Sequence, residues 1–201
     1  AFIIPYKQKL ESSMNAKISH TSVELTKTGD NSSLGNLLAD YTYEGAVEWA
    51  KKNNIPSVDA AVINIGGIRS TIGAGDITIK HVFEIMPFEN EIYIVKMKGS
   101  DLQGLFDYYK ENLTNNPVSK LIIETDGKTF TKQLINGQPV DPNKTYYIAT
   151  SNVDLYYQIK NRGYKNFIYN AEVSQKFGYA NIPNPVFLEK QFEYLDVMSG
   201  G

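Results

Sequence analysis

Residues 59–69 read DAAVINIGGIR, and this stretch is the best starting point for interpreting the whole chain. Its first part, residues 59–65, is an almost wholly apolar run, which is typical of a strand buried on both faces of a sheet. Gly66 and Gly67 come directly after it and predict a tight exit from the strand. Ligand sites in α/β proteins favour strand exits of this kind. The stretch therefore predicts an α/β protein with a candidate site where this strand ends.

The segments on either side of this strand have helical spacing or strand-like alternation. Leu34 and Leu38 belong to the buried face of a predicted long helix that stops near Asn53. Asn136 and Gly137 lie between two apolar runs and predict a tight turn. The other predicted elements are helices over residues 3–17, around Val82, from Gly99 to Tyr109 and over 153–160, and strands over 21–26, 91–98, 118–124, 129–135 and 145–149.

Composition and charge exclude several classes of protein. The chain has 201 residues, 42% hydrophobic and 21% charged, which is enough for a real core and excludes a long disordered tail. A net charge of -2 provides no basic field, so a nucleic-acid polymer is not an expected partner. No apolar run approaches the roughly 20 residues of a membrane span, and the absence of cysteine excludes disulfides and thiolate nucleophiles. Two histidines, His20 and His81, are too few for a dinuclear metal centre held by this chain alone, and we expect each on a loop or a helix surface.

The candidate site lies in the stretch NIGGIR, residues 64–69. Two glycines let a ligand approach the backbone, exposed peptide N–H groups can form a concavity for an anion, and Arg69 can supply a bidentate fork. On composition alone, an ordinary tight turn with a surface arginine is the simpler interpretation. The stretch lacks the Gly-Lys-Ser/Thr ending of a P-loop and the glycine spacing of a dinucleotide-binding loop. Asp30, Glu84 and Glu89 are predicted to be solvated surface residues rather than an acid–base pair.

Five short motifs stand in a characteristic order along the chain. They are SLGNLLAD at residues 33–40, NIGGIR at 64–69, MPF at 86–88, KGSDL at 98–102 and KTYYIATSN at 144–152. In this order and spacing they resemble the C-terminal domain of 5'-nucleotidases. The resemblance covers about residues 1–152 and implies a mixed α/β (α+β) fold, a four-layer sandwich. We expect one such domain over residues 1–201, with residues 153–201 divergent.

The resemblance also implies a function, which is recognition of a nucleoside monophosphate or a related nucleotide for a hydrolase. Arg69 then contacts the phosphate, Asn64 contacts the nucleotide, and Phe88 stacks on the base. Gly66 and Gly67 supply backbone that the ligand approaches closely. No catalytic residue, metal site or cofactor is expected in this chain.

In the family, catalysis belongs to a separate metallophosphoesterase domain that holds two divalent metals such as Zn or Mn and cuts the phosphate ester. We expect that domain on a partner chain, or removed from this one. Because members of the family are mostly exported, the implied location is the periplasm or the cell surface.

Two departures from the family pattern leave a second function open. The loop before the SLGN motif reads KTGDN at residues 27–31 and lacks an arginine that the family usually has there, although Lys27 can act as a point charge. Residues 153–157 read VDLYY where the family has a Gly-Gly-Asp turn and a second base-stacking ring, so Tyr156 or Tyr157 is the candidate for that ring. The alternative function is therefore a non-catalytic ligand- or protein-binding module derived from the same domain.

Overall fold

A computed structural model describes residues 11–88, 92–151 and 187–190 of the chain. Its helices are α1 (Ser33–Lys52), α2 (Ile79–Ile85) and α3 (Gly99–Asn112). Its strands are β1 (Lys17–Thr21), β2 (Ala60–Val62), β3 (Gly75–Thr78), β4 (Ile92–Lys98), β5 (Val118–Ser119), β6 (Leu121–Thr125), β7 (Phe130–Ile135), β8 (Gln138–Pro139), β9 (Thr145–Ser151) and β10 (Phe187–Lys190).

The predicted buried strand lies inside a five-stranded sheet with the strand order β10-β4-β9-β2-β5. Strand β2 runs parallel to β9, with Ala61 beside Ala149, and antiparallel to β5. Strand β4 pairs antiparallel with β9 and with β10. The buried strand and its tight exit are confirmed, although pairing ends at Val62 because Asn64 starts a single 3-10 turn over Ile65–Gly67.

Both faces of the central sheet are covered, which explains why the apolar run has no polar alternation. Ala60 faces a core shared with α3, where Phe106 is 1% exposed. Ala61 faces a second core shared with α1, where Leu34 is fully buried. Successive side chains of one strand therefore stabilise two different layers, as the geometry of a strand requires.

A smaller sheet, β6-β7-β8, covers the other side of α3. The rings of Phe106 on α3 and Phe130 on β7 meet edge to face, with centroids 6.3 Å apart. The stacking order is thus α1, central sheet, α3 and small sheet. This order of helix and sheet layers agrees with the mixed α/β fold expected from the sequence.

Two backbone conformations set the shape of the small sheet. Asn136 and Gly137 have φ values of 50° and 74°, as the tightest hairpin turns require, and the predicted turn between β7 and β8 is confirmed. Lys120 has a φ of 61°, and this residue with a left-handed backbone lies between β5 and β6 and separates them. The single strand predicted over residues 118–124 is therefore wrong, since its two halves belong to different sheets.

The N-terminal prediction also needs correction. Residues 11–14 are helical, but Lys17–Thr21 forms β1, which pairs antiparallel with β3. The strand predicted over residues 21–26 does not form as one element. Thr21 is the last residue of β1, and Leu25 makes an isolated bridge to Ile72. Strand β1 is almost wholly exposed in a two-stranded ribbon, so its sequence has no alternation to reveal it.

The two histidines take part in local structure. His20 lies on β1, not on a loop or helix, and its Nδ1 atom is 2.8 Å from Asp76 Oδ1. Hydrogen bonds from Lys17 and His20 lower the pKa of the Asp76 carboxyl. His81 lies near the start of α2, where its Nδ1 atom accepts the Thr78 N–H at 3.0 Å.

The predicted helix over residues 153–160, which includes Tyr156 and Tyr157, lies outside the described residues. Within the described ranges, none of the helices has the length and apolar character needed to cross a membrane.

Candidate functional site

The strand exit is held in shape by two asparagine side chains. Asn64 caps the 3-10 turn, and its Oδ1 atom accepts the Gly66 N–H at 2.8 Å. Asn116, which is 6% exposed, accepts the Ile65 N–H through Oδ1 at 3.1 Å. The Tyr109 hydroxyl in turn donates to the Asn116 carbonyl at 2.8 Å, so the turn is fixed to α3. Asn116 was not predicted from the sequence, because its role depends on a partner 51 residues away.

The peptide N–H groups of this turn are not available to an anion. Gly67 N–H donates to the Asn64 carbonyl at 3.0 Å, and Ile68 N–H donates to the Ile65 carbonyl at 3.1 Å. Arg69 N–H donates to the Ile85 carbonyl at 2.8 Å. The concavity of exposed N–H groups that the sequence allowed is therefore not formed here, because the turn and its neighbours already satisfy each donor from residue 65 to residue 69. An anion at this site must be held by side chains.

The two glycines are not required by the backbone conformation. Neither Gly66 nor Gly67 has a positive φ, whereas several other glycines of the described chain do. A Cβ atom added to Gly67 would meet only Met86 Cε, at the ordinary contact distance of 3.7 Å. The tight turn by itself therefore does not explain Gly67, and the missing side chain leaves the outer surface of the loop open to an approaching molecule.

Arg69 and Phe88 lie together at the outer edge of this loop. The guanidinium carbon of Arg69 is 5.3 Å from the centroid of the Phe88 ring, within the range of a cation–π contact. Phe88 is 43% exposed, so it is not a core phenylalanine. Among the described residues no carboxylate forms a salt bridge with Arg69, and its side chain makes only one long hydrogen bond, 3.5 Å to the Gly66 carbonyl.

A second cation reaches the same loop from the chain segment before α1. The half-buried Lys27 donates from Nζ to the Ile68 carbonyl at 2.7 Å, next to Arg69 in the chain. An ammonium group has three donors, and this hydrogen bond uses one of them. Lys27 therefore places a second cation beside the loop that carries Arg69.

Comparisons with known proteins identify the family of this chain. A family model described as the 5'-nucleotidase C-terminal domain matches residues 14–167. The chain belongs to the 5'-nucleotidase C-terminal domain family. The predicted resemblance is confirmed, and the match extends about 15 residues beyond the motifs that carried it.

The relatives of this 5'-nucleotidase C-terminal domain are much longer proteins. The Silent protein UshA(0) of Salmonella typhimurium is 33% identical over 199 residues, which are 91% of this chain and 34% of that protein. Protein UshA of Escherichia coli is 31% identical over 193 residues, which are 88% of this chain and 33% of that protein. The chain thus spans about a third of the length of these relatives.

Solved structures share the fold. The 5'-nucleotidase precursor of Thermus thermophilus matches with a TM-score of 0.68 and 20% identity, covering 98% of this chain and 38% of that one. The NAD nucleotidase of Haemophilus influenzae matches with a TM-score of 0.64 and 20% identity, covering 98% of this chain and 37% of that one. At this identity the likeness establishes the fold of the domain.

Of the other groups named from the sequence, one lies on the surface of a helix and three lie outside the described residues. Glu84 pairs with Lys80 at 3.6 Å on the surface of α2, as predicted for a solvated carboxylate. Glu89 and the two candidate rings, Tyr156 and Tyr157, lie outside the described residues. Over the ranges that are described, no cluster of three or more His, Asp or Glu side chains could hold a metal ion.

A cavity of about 880 Å³ includes Asn116 in its lining. It runs between the start of α1 and strand β6, and its lining includes Asn31, Asn36 and Asn115. Asn64, Arg69 and Phe88 do not line it. The site residues named from the sequence therefore lie outside this cavity, on the surface loop.

Proposed function

We propose that this chain is the nucleotide-recognition domain of a 5'-nucleotidase-like hydrolase that dephosphorylates nucleotides. The observation that carries the proposal is the exposed pair of Arg69 and Phe88, a cation without a carboxylate partner among the described residues beside an exposed aromatic ring. The ligand is a nucleoside monophosphate or a related nucleotide. The two divalent metals and the bond-breaking step belong to a metallophosphoesterase unit outside the residues of this chain.

The side chains of the loop suit a ligand that has a phosphate at one end and a planar base at the other. A guanidinium group binds a phosphate through parallel N–H donors, and an exposed phenylalanine ring offers a face for stacking a base. Because the turn's own N–H groups are satisfied, the phosphate is held by Arg69 and by the nearby ammonium of Lys27. Asn64 contributes by fixing the turn and by contacting the nucleotide, and the two glycines leave room for it.

Replacing Arg69 with alanine tests whether its guanidinium binds the phosphate. Arg69→Ala is expected to weaken AMP binding by about 1.5 to 3 kcal/mol, the usual contribution of hydrogen bonds to a charged group. Calorimetric titration of both proteins with AMP measures the difference. Lys132→Ala is the matched control, since it removes one surface cation from β7, which belongs to the small sheet and not to the sheet that leads into the loop. Equal AMP affinities of wild type and Arg69→Ala would remove Arg69 from the site.

Replacing Phe88 with alanine tests whether its ring stacks on the base. Phe88→Ala is expected to lose about 1 to 3 kcal/mol of binding to any nucleotide, since every base has a face that can stack. Phe83 on α2 is a matched control because it is similarly exposed, 41% against 43%. Titrations and thermal melts of Phe88→Ala and Phe83→Ala separate binding from folding. A large fall in melting temperature for Phe88→Ala with unchanged AMP affinity would contradict a stacking role.

The alternative is a non-catalytic ligand- or protein-binding module derived from the same domain. The absence of an arginine in the loop over residues 27–31 favours it. The two functions differ in one measurement, which is whether nucleotide hydrolysis by a metallophosphoesterase partner depends on this chain. We further propose a periplasmic or cell-surface location, as the family resemblance implies.

A further inference from the structure

We propose that Arg69 covers the Phe88 ring in the ligand-free protein, so that the site admits nucleotides and disfavours nucleosides. The proposal rests on the function proposed above and adds a specificity-determining role for one residue. In the ligand-free arrangement the guanidinium carbon lies over the Phe88 ring, 5.3 Å from its centroid, and so occupies one face that a base could use for stacking. A phosphate draws the guanidinium away from the ring, whereas a ligand without a phosphate must displace it.

The contacts of Arg69 leave its side chain free to move. The backbone is fixed, because the Arg69 N–H donates to the Ile85 carbonyl at 2.8 Å. The guanidinium is held mainly by the Phe88 ring at 5.3 Å, since its hydrogen bond to the Gly66 carbonyl has the limiting length of 3.5 Å. The side chain can therefore leave the ring without disturbing the turn or the end of α2.

The ring and the phosphate compete for one cation, and the phosphate is the stronger partner. A cation–π contact at an exposed site changes an equilibrium constant by about two- to fivefold. A charge-assisted hydrogen bond to a phosphate changes it by about tenfold or more. Arg69 is thus expected to reduce nucleoside affinity and to raise nucleotide affinity. Specificity for nucleotides over nucleosides is the difference between the two binding free energies. Arg69 increases this difference both by lowering nucleoside affinity and by raising nucleotide affinity.

The test titrates adenosine and AMP into four proteins: wild type, Arg69→Ala, Phe88→Leu and the double variant. NMR spectra of the protein at ligand concentrations up to the millimolar range give each dissociation constant. Arg69→Ala is expected to bind adenosine about two- to fivefold more tightly than wild type and AMP at least about tenfold more weakly. In the Phe88→Leu background, Arg69→Ala is expected to leave adenosine affinity unchanged, because no aromatic ring remains to be covered.

Opposite changes for the two ligands distinguish this role from a structural one, since a damaged loop weakens both. Adenosine affinity in Arg69→Ala that is no higher than in wild type overturns the inference, whether or not binding is detectable. If wild type binds AMP in that case, the proposed function survives. If wild type binds neither ligand at millimolar concentration, both the proposed function and this inference fail.

Discussion

The purified 201-residue chain, supplied with AMP and Mn²⁺ or Zn²⁺, is expected to release no phosphate above background. Hydrolysis of a phosphate monoester is among the slowest uncatalysed reactions, and hydrolases of this class use metals to activate water and to neutralise the developing charge. The two histidines are 61 positions apart, and the Nδ1 atoms of both are engaged, with Asp76 for His20 and with Thr78 for His81. A colorimetric phosphate assay measures the rate.

The same assay is repeated with a metallophosphoesterase partner added, as the positive control. Activity is expected to appear when the partner is added and to fall when Arg69→Ala replaces the wild-type chain. Metal-dependent turnover by the chain alone would contradict the proposal, provided that it survives removal of contaminating phosphatase and is lost in Arg69→Ala. Such a result would require a metal site that the described residues do not show.

Gly99→Ala is expected to lower the free energy of unfolding by about 3 kcal/mol, at the upper end of the usual cost of overpacking. Gly99 opens α3, and its N–H donates to the Lys144 carbonyl at 2.8 Å. A Cβ atom there would clash with the Asp141 carbonyl oxygen, so the backbone of one segment must move. Urea unfolding of the two proteins measures the difference.

Gly73→Ala is the matched control for this effect. A Cβ atom on Gly73 meets nothing within 4 Å, and Gly73 is not among the residues with a positive φ. Its unfolding free energy is expected to stay within about 0.5 kcal/mol of wild type, as for most surface substitutions. Wild-type stability of Gly99→Ala would show that the segment around Asp141 does not pack against the start of α3.

The elements with strong periodicity were predictable from the sequence, and those without it were not. Helix α1 and strand β4 present long apolar faces to a core, so their patterns predict both their type and their approximate limits. Strand β1 is exposed and owes its form to pairing with β3, which no local pattern reveals. The break at Lys120 depends on a left-handed backbone at a residue type that rarely adopts it.

The structure brings together Arg69 and Phe88, which the sequence had named, but the hydrogen bonding of their loop was not predictable. The motif containing Asn64 and Arg69 identifies the loop, and the structure places Phe88 beside Arg69. The hydrogen-bond partners of the peptide N–H groups were not predictable, because Asn116 and the Ile85 carbonyl reach the loop from distant parts of the chain. Because these N–H groups are satisfied, the proposed phosphate contact depends on charged side chains and not on the backbone.

The most direct test of nucleotide recognition at this loop is a titration of the ¹⁵N-labelled chain with AMP, followed through its amide NMR signals. Saturable shifts are expected at Gly66, Gly67, Arg69 and Phe88, with small changes at residues that line the cavity lined in part by Asn116. Shifts concentrated at cavity residues such as Asn31, or no shifts at millimolar AMP, would contradict the assignment of this loop as the nucleotide site.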